Sequence, residues 1–277
     1  MPVVATNTAA NSALRYLNNN SANASASVGK LASGSRIVKA SDDAAGLAIG
    51  TRLMADVTAL TQAGINASQG ASVVQVADGG LGRIGDVLQR MKALAAQSLS
   101  GVPTNTERGF IDAEFQELVS EITAIADTTR FNGQSLLDGT PATADYFVGT
   151  DVSDTITVDF QALATGFSAF GAATLGVNLS VGTSGAASAS MDAVDAAIDA
   201  VSEARATAGA LISRFEFRGQ QIATSLENID AAKSAIMDVD LAAEQSKLVS
   251  NQVLVQAAVS AVSQANQIPQ SLLRVLQ

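Results

Sequence analysis

The chain has 277 residues and 47% hydrophobic content, yet aromatics are only 4%, Cys, His and Trp are absent, and the net charge is −10. Without Cys or His it can form no disulfide, no thiolate nucleophile and no histidine-based zinc site, and it lacks the usual general base near neutral pH, so hydrolytic triads are excluded. Its acidity argues against nucleic-acid backbones and anionic membrane surfaces as partners.

The first residues, MPVVATNTAANSALRYLNNN, have no basic start, unbroken apolar core or small-residue cleavage site. No secretory signal peptide is therefore expected. No apolar run reaches the roughly eighteen residues of a membrane helix, so no membrane insertion is expected either. Val3, Ala10, Leu17, Ala24, Leu31 and Val38 recur every seven residues, flanked by Asn, Ser and Ala. So narrow a seam buries too little to offset the roughly 1–2 kcal/mol per residue of backbone ordering. This end is expected to be disordered in a free monomer and to fold only against a partner helix.

Ser41, Asp42 and Asp43 stand immediately before the helix-forming AAGLAI. Acidic residues there are expected to cap free N–H groups and to complement the helix dipole, rather than to form a catalytic pair. From Leu53 the heptad positions Leu60, Ala67, Val74, Leu81, Leu88 and Ala95 are all apolar, which predicts one long helix. This seam runs through GLGRIG (80–85), a literal match to the dinucleotide fingerprint. The fingerprint has meaning only between a strand and a crossover helix. Here Leu81 is a seam position, so the match is read as glycine-substituted helix and no cofactor is expected. The glycines at 79, 80, 82 and 85 each cost about 1 kcal/mol relative to Ala, so they weaken the helix or admit a close neighbour.

Pro103 and Thr104 form a turn and cap before a shorter helix from Glu107 to Ala126, with Ile111, Phe115, Leu118, Ile122 and Ile125 on one face. Between Arg130 and Arg205 there is no Lys or Arg. Within that stretch YFVGTDVSDTITVDF (146–160) alternates Ile156, Val158 and Phe160 with polar residues around a turn, a β-hairpin signal. A second rod follows, with Val194, Val201, Ala208, Phe215, Ile222, Ile229 and Ile236 every seven residues and Ile198, Ile212 and Leu226 beside them. The C-terminal seam, Leu241, Leu248, Val255 and Val262, is as thin as the N-terminal one, and Ile268 and Leu272 extend it. Its expected partner is the N-terminal segment carrying Leu14, Leu17, Val28 and Leu31, together with the same elements of neighbouring copies. The fold class is mainly α: a long antiparallel helical bundle or coiled coil formed by the N- and C-terminal regions, with a small β-hairpin tip.

Several blocks in fixed order resemble bacterial flagellins: KLASGSRIVKASDDAAGLAIG (30–50), QRMKALAAQS (89–98), ERGFIDAEFQELVSEITAIADTTRFNGQSLLDG (107–139), LISRFEFRGQQIATSLENIDAAKSAIMDVDLAAE (211–244) and QANQIPQSLL (264–273). The resemblance implies a filament subunit without catalysis, exported unfolded and polymerised at the filament tip. Residues 1–45 and 236–277 would be the terminal helices of the inner core. Residues 46–160 and 190–235 would form a helical rod with the hairpin, and 161–189 a short surface segment in place of an outer domain. Implied partners are the chain itself, the flagellar export apparatus and its chaperone, the filament cap and the hook-filament junction proteins. The expected location is the extracellular flagellum.

The resemblance also carries over two receptor surfaces. Gly34, Arg36, Ile37, Asp42, Asp43 and Gly46 match the segment read by plant flagellin receptor kinases. Gln89, Arg90, Leu94, Gln97 and Glu114 match positions that contact Toll-like receptor 5 in animals and that form the lateral surface of the filament. Two other readings stay open on the residues: a hook-filament junction protein of the same fold, and a cytoplasmic coiled-coil signalling hairpin. Four Asn-x-Ser sequons, at Asn19, Asn23, Asn66 and Asn178, are read as chance.

Overall fold

The computed structural model describes residues 7–139, 143–164 and 179–275. Six helices and two antiparallel hairpins follow one another among these residues: α1 (Thr8–Ser33), α2 (Ala44–Leu99), α3 (Asn105–Thr128), β1 (Arg130–Phe131), β2 (Gln134–Ser135), β3 (Thr143–Phe147), β4 (Thr155–Asp159), α4 (Phe160–Ala164), α5 (Ser184–Met237) and α6 (Leu241–Val275). The chain divides into two compact units, Met1–Val57 with Glu227–Gln277, and Thr58–Leu226. The division falls within α2 and α5.

In the unit Thr58–Leu226 the heptad seams form the core. Val74, Leu81, Leu88 and Ala95 of α2 and Val194 and Ala208 of α5 have no solvent exposure, and Phe115 of α3 and Phe215 of α5 are likewise buried. Each such Leu, Val or Phe contributes about 1.5–3 kcal/mol on burial. Helix α2 is continuous through GLGRIG. Its glycines are not alike. A Cβ on Gly79 would meet nothing, and one on Gly82 would lie 3.9 Å from the Arg205 guanidinium carbon. A Cβ on Gly80 would stand 2.6 Å from Thr129 Oγ1 and 2.8 Å from Leu137 Cδ1. Within this stretch it is Gly80 that answers to close packing, as does Gly70 earlier in the helix, whose Cβ would enter the Phe215 ring at 2.6 Å.

Thr104 caps α3 in a complete capping box with Glu107. These bonds hold the exposed Glu107 carboxyl below its ordinary pKa, chiefly through the Thr104 backbone N–H and then its hydroxyl. β3 and β4 pair from Thr143↔Asp159 to Phe147↔Thr155, and Ile156, Val158 and Phe160 are buried as their alternation requires. Tyr146 meets Phe215 edge to face, with ring centroids 5.4 Å apart, and Asn66 Nδ2 donates to the Phe147 carbonyl at 3.0 Å. Asn66, a sequon residue, is thereby committed to the hairpin's seat. The β1–β2 hairpin was not foreseen, although its turn, Asn132-Gly133 with φ of 49° and 80°, is a strong short-range hairpin signal.

Residues 165–178, Asn178 among them, lie outside the described residues. The backbone of Val181 donates to Asp112 Oδ1 at 2.7 Å and accepts from Ser98 Oγ at 2.5 Å, and both Val181 and Ser98 are buried. Asp78–Arg205 (2.9 Å) and Lys92–Asp195 (2.5 Å) link α2 to α5 at the surface, where such pairs contribute only about 0–1 kcal/mol.

Candidate assembly surfaces

In the unit formed by the two chain ends, α1 stops because Gly34 takes a left-handed conformation, φ 69°. The next residues lock onto the turn between α5 and α6. Arg36 N donates to the Met237 carbonyl at 2.6 Å, and its guanidinium donates to the Ile236 carbonyl at 3.1 and 2.9 Å. Ser35 Oγ also reaches Met237 O, and Val239 N donates to Gly34 O. Ile37 is buried, while Gly46 is pressed so close to Ile37 and Asp43 that a side chain there would collide with both. Gly50 is similarly closed by Met237.

The adjacent aspartates divide their work. Asp43 caps α2, accepting from Gly46 N at 2.8 Å. Asp42 was expected to do the same, but it turns back to accept from Lys39 N (2.9 Å) and Val38 N (3.1 Å). It closes the preceding turn because its side chain sits one residue too early to reach the free N–H groups of α2. Those two backbone donors, Lys39 first, hold the Asp42 carboxyl below its usual pKa. Gly34 and Arg36 are thus tied to the α5–α6 turn and Asp42, Asp43 and Gly46 to the entry of α2, and the Arg36–Asp43 ion pair at 3.7 Å and the packing of Ile37 on Gly46 join the two groups.

Helices α1 and α6 pack on one another. Asn7 caps α1 and donates from its side chain to the Ala265 carbonyl at 2.8 Å. The covered strip is thin: Ala10, Ser27, Leu248, Ala258 and Ala265 are buried, and Leu17, Leu31, Val255 and Val262 half-buried. The buried Glu244 accepts a hydrogen bond from Ser27, which with Lys247 and Lys30 holds its carboxyl below the ordinary value. Neither residue was singled out from sequence. Both were legible there, because Ser27 lies three residues past Ala24 and Glu244 three past Leu241, on the positions that flank each seam.

Much apolar surface on this pair stays uncovered. Leu14 is 42% exposed, Val28 50%, Leu241 60%, Val253 58% and Val259 52%. Beside them a groove of about 460 Å³ runs between Ala24 and Val28 of α1 and Leu248 and Val255 of α6. The side chains of Ile268 and Leu272 lie outside the described residues.

In the other unit Arg90 of α2 holds Glu114 of α3 through two guanidinium nitrogens on one carboxylate oxygen, at 2.9 and 2.5 Å, on an exposed face that also carries Gln89 and Gln97. Leu94 was expected to share this surface. It is 2% exposed instead, because it falls on the core side of α2, three residues past Met91 and six past Leu88.

Comparison with known proteins accords with these features. The family description "Bacterial flagellin N-terminal helical region" matches residues 4–142, and "Bacterial flagellin C-terminal helical region" matches residues 191–276. The chain is 39% identical over 247 residues to a flagellin of Halalkalibacterium halodurans, covering 89% of each chain. It is 34% identical over 280 residues to the flagellar filament 33 kDa core protein of Treponema phagedenis, covering 95% of this chain and 96% of the relative. The crystal structure of Bacillus cereus flagellin superposes with a TM-score of 0.51 at 26% identity, over 61% of this chain and 94% of that one. With terminal helices paired through Ser27 and Glu244, and with both family regions matched in order, the chain belongs to the bacterial flagellin family.

Proposed function

We propose that the chain is a structural subunit that polymerises with copies of itself into a flagellar filament for motility. The uncovered apolar side of the α1–α6 pair carries this reading. An isolated pair of long helices that buries a strip of Ala, Ser and Leu and leaves Leu14, Val28, Leu241, Val253 and Val259 in water is poorly stabilised alone. The same residues, covered by equivalent helices of neighbouring copies, each contribute about 1.5–3 kcal/mol. Residues 1–45 and 236–277 act as the inner core, ordered by assembly, while 46–160 with 190–235 form the surrounding rod and 161–189 faces outward. The chain acts mechanically and not as a catalyst.

On this reading the subunit is exported unfolded with help from the export apparatus and a chaperone, and is added at the tip beneath the cap, beyond the hook-filament junction. The locked turn at Gly34–Gly46 suits recognition by a plant receptor kinase. The Gln89, Arg90, Gln97 and Glu114 face suits both a lateral subunit contact and Toll-like receptor 5. The decisive experiment is polymerisation of the purified protein after seeding with sheared filaments, followed by electron microscopy. Long tubes are expected; a protein that stays monomeric on competent seeds refutes the proposal.

A further inference from the structure

The net charge of −10 is not spread evenly along the chain. The unit formed by the chain ends has eight basic and eight acidic residues, whereas Thr58–Leu226 has eight basic against eighteen acidic. Within that acidic unit Arg83, Arg90, Lys92 and Arg205 have carboxylate partners, and Arg108 and Arg130 donate to backbone carbonyls. Arg214 and Arg218 of α5 stand apart. Neither has an ion pair among the described residues, and Arg218 reaches Gln221 at 3.1 Å. Phe217 between them is 71% exposed, and the three residues, with Ile156 of β4, line a cleft of about 550 Å³.

Two carboxylates of α3 have the matching form. Glu117 and Glu121 are exposed and make no described ion pair, and they stand four residues apart, as Arg214 and Arg218 do. Each pair therefore spans about 6 Å, close to one helical turn. Both α3 and α5 run antiparallel to α2: Arg90 meets Glu114 where Gly80 meets Thr129, and Lys92 meets Asp195 where Gly64 meets Ile222. The two pairs also look out from opposite flanks. On α2, Gly80 and Arg90 turn to α3 and its following residues while Gly85 and Lys92 turn to α5, and at 3.6 residues per turn these directions are roughly 120–160° apart. Glu117 and Glu121 lie away from the buried Phe115 and Ile122 of α3, and Arg214 and Phe217 lie outside the buried line of Ala208, Phe215 and Ile222. Other acids fit less well. Asp192, Asp199 and Glu203 share the flank of Arg214, so they cannot face it in a parallel copy. Asp145, Asp154 and Asp159 already accept hydrogen bonds in the hairpin and at the start of α4.

We propose that copies meet side by side through these flanks: α3 of one copy docks in the α5 cleft of the next, with Glu117 on Arg214 and Glu121 on Arg218. In parallel copies the two helices run the same way, so the shared four-residue spacing lets both pairs form at once. The guanidinium forks match the carboxylates, and Phe217 shields them from water on one side. Because Glu114 is level with Arg90 and Asp195 with Lys92, the contact offsets neighbouring copies by roughly 20 Å along the axis, besides the sideways step. A third copy repeats both steps from the second, so it lies clear of the first, and no copy is turned over. Each copy offers α3 to one neighbour and α5 to another, a heterologous contact that propagates beyond a pair. The α3 flank continues the Arg90–Glu114 face proposed above as a lateral contact. This inference rests on the filament reading and names the residues that set its lateral register.

The test uses the full chain at fixed salt of about 0.15 M. The protein left in solution after seeded assembly is measured by sedimentation and electron microscopy, and folding is followed by circular dichroism. R214E/R218E sets acid against acid, and E117R/E121R sets base against base. Each should raise the critical concentration by roughly tenfold or more, and combining all four substitutions should return it toward the unsubstituted value. The first variant makes the chain more acidic and the second less so; effects of opposite sign would show a general charge effect and overturn the contact. Since the chain has no cysteine, E117C/R214C carries the only thiols. Copolymerised with unsubstituted protein and treated with a short bismaleimide, it should give linked dimers and longer chains in filaments and none as dispersed monomer, which decides the matter where a charge variant misfolds. If the unsubstituted protein does not polymerise, or stops at a closed dimer, the filament reading falls and the inference with it. If it polymerises but the reversed variants match it, the four substitutions together do not rescue folded variants, or the thiols do not link, the α3–α5 contact alone is overturned.

Discussion

Ser27 of α1 donates its hydroxyl to the Glu244 carboxylate of α6 inside an interface otherwise made of small apolar side chains. A buried polar pair of this kind stabilises modestly when intact and costs more when one partner is removed. It also favours one register, because sliding either helix by one turn separates Glu244 from Ser27 and leaves the buried carboxylate only Lys247 of its own helix, at 3.4 Å.

The first expectation concerns acid. The folded-state pKa of Glu244 is depressed by Ser27 first, then by Lys247 of its own helix and Lys30 of α1. A depressed carboxyl contributes stability that is present above its unfolded value, near 4.5, and lost as pH falls through the folded value. Amide exchange in α1 and α6 should therefore accelerate below the ordinary glutamate range, before exchange in the core of Thr58–Leu226 does. Glu244→Gln should weaken the pair by about 1–3 kcal/mol at neutral pH and flatten this dependence. Unchanged acid sensitivity in the variant would assign the effect to other carboxylates.

Glycine substitutions should separate helix propensity from packing. Gly82→Ala is expected to be neutral or stabilising by up to about 1 kcal/mol, since its Cβ has room in a continuous helix. Gly80→Ala and Gly70→Ala should destabilise by about 1–3 kcal/mol, because Thr129 and Leu137 in one case and Phe215 in the other must move. Urea unfolding midpoints measure all three. Equal effects at 80 and 82 would contradict the packing around β1 and β2.

Salt should accelerate assembly. All ten net negative charges lie in Thr58–Leu226, so copies packed side by side repel one another at low ionic strength. Shortening the Debye length from about 30 Å at 0.01 M to about 8 Å at 0.15 M should speed seeded growth, as followed by light scattering. Slower growth with added salt would mean that attraction dominates the encounter.

Removal of residues 241–277 should abolish filament formation, because α1 then loses Leu248, Ala258 and Ala265 and the assembly face loses Leu241, Val253 and Val259. The unit Thr58–Leu226 keeps its own core, including Leu81, Leu88, Phe115 and Phe215, so its thermal unfolding should barely change. Polymerisation of the truncated chain would refute the role of the ends; early unfolding would show that they support the rod.

The helical character of this protein, its long seams and its hairpin could be read from spacing alone. A residue such as Leu81 or Val201 declares its buried side through neighbours three, four and seven positions away, and alternation at Ile156 and Val158 does the same for a strand. Periodicity is a property of one element, so it survives without knowledge of partners. What spacing could not supply was which side chains meet across elements. Gly80 and Gly82 look alike in GLGRIG, yet only Gly80 is closed off, because Thr129 and Leu137 arrive from residues some fifty positions later. Asp42 and Asp43 are the same residue type in tandem, but the direction of each carboxylate follows from the turn that ties Arg36 to Ile236. Leu94 follows Leu88 and Met91 onto the buried side of α2, a consequence of spacing, but that Arg90 meets Glu114 depends on where α3 brings a residue 24 positions later. Those outcomes depend on distances between segments remote in the chain, which are settled by packing in three dimensions.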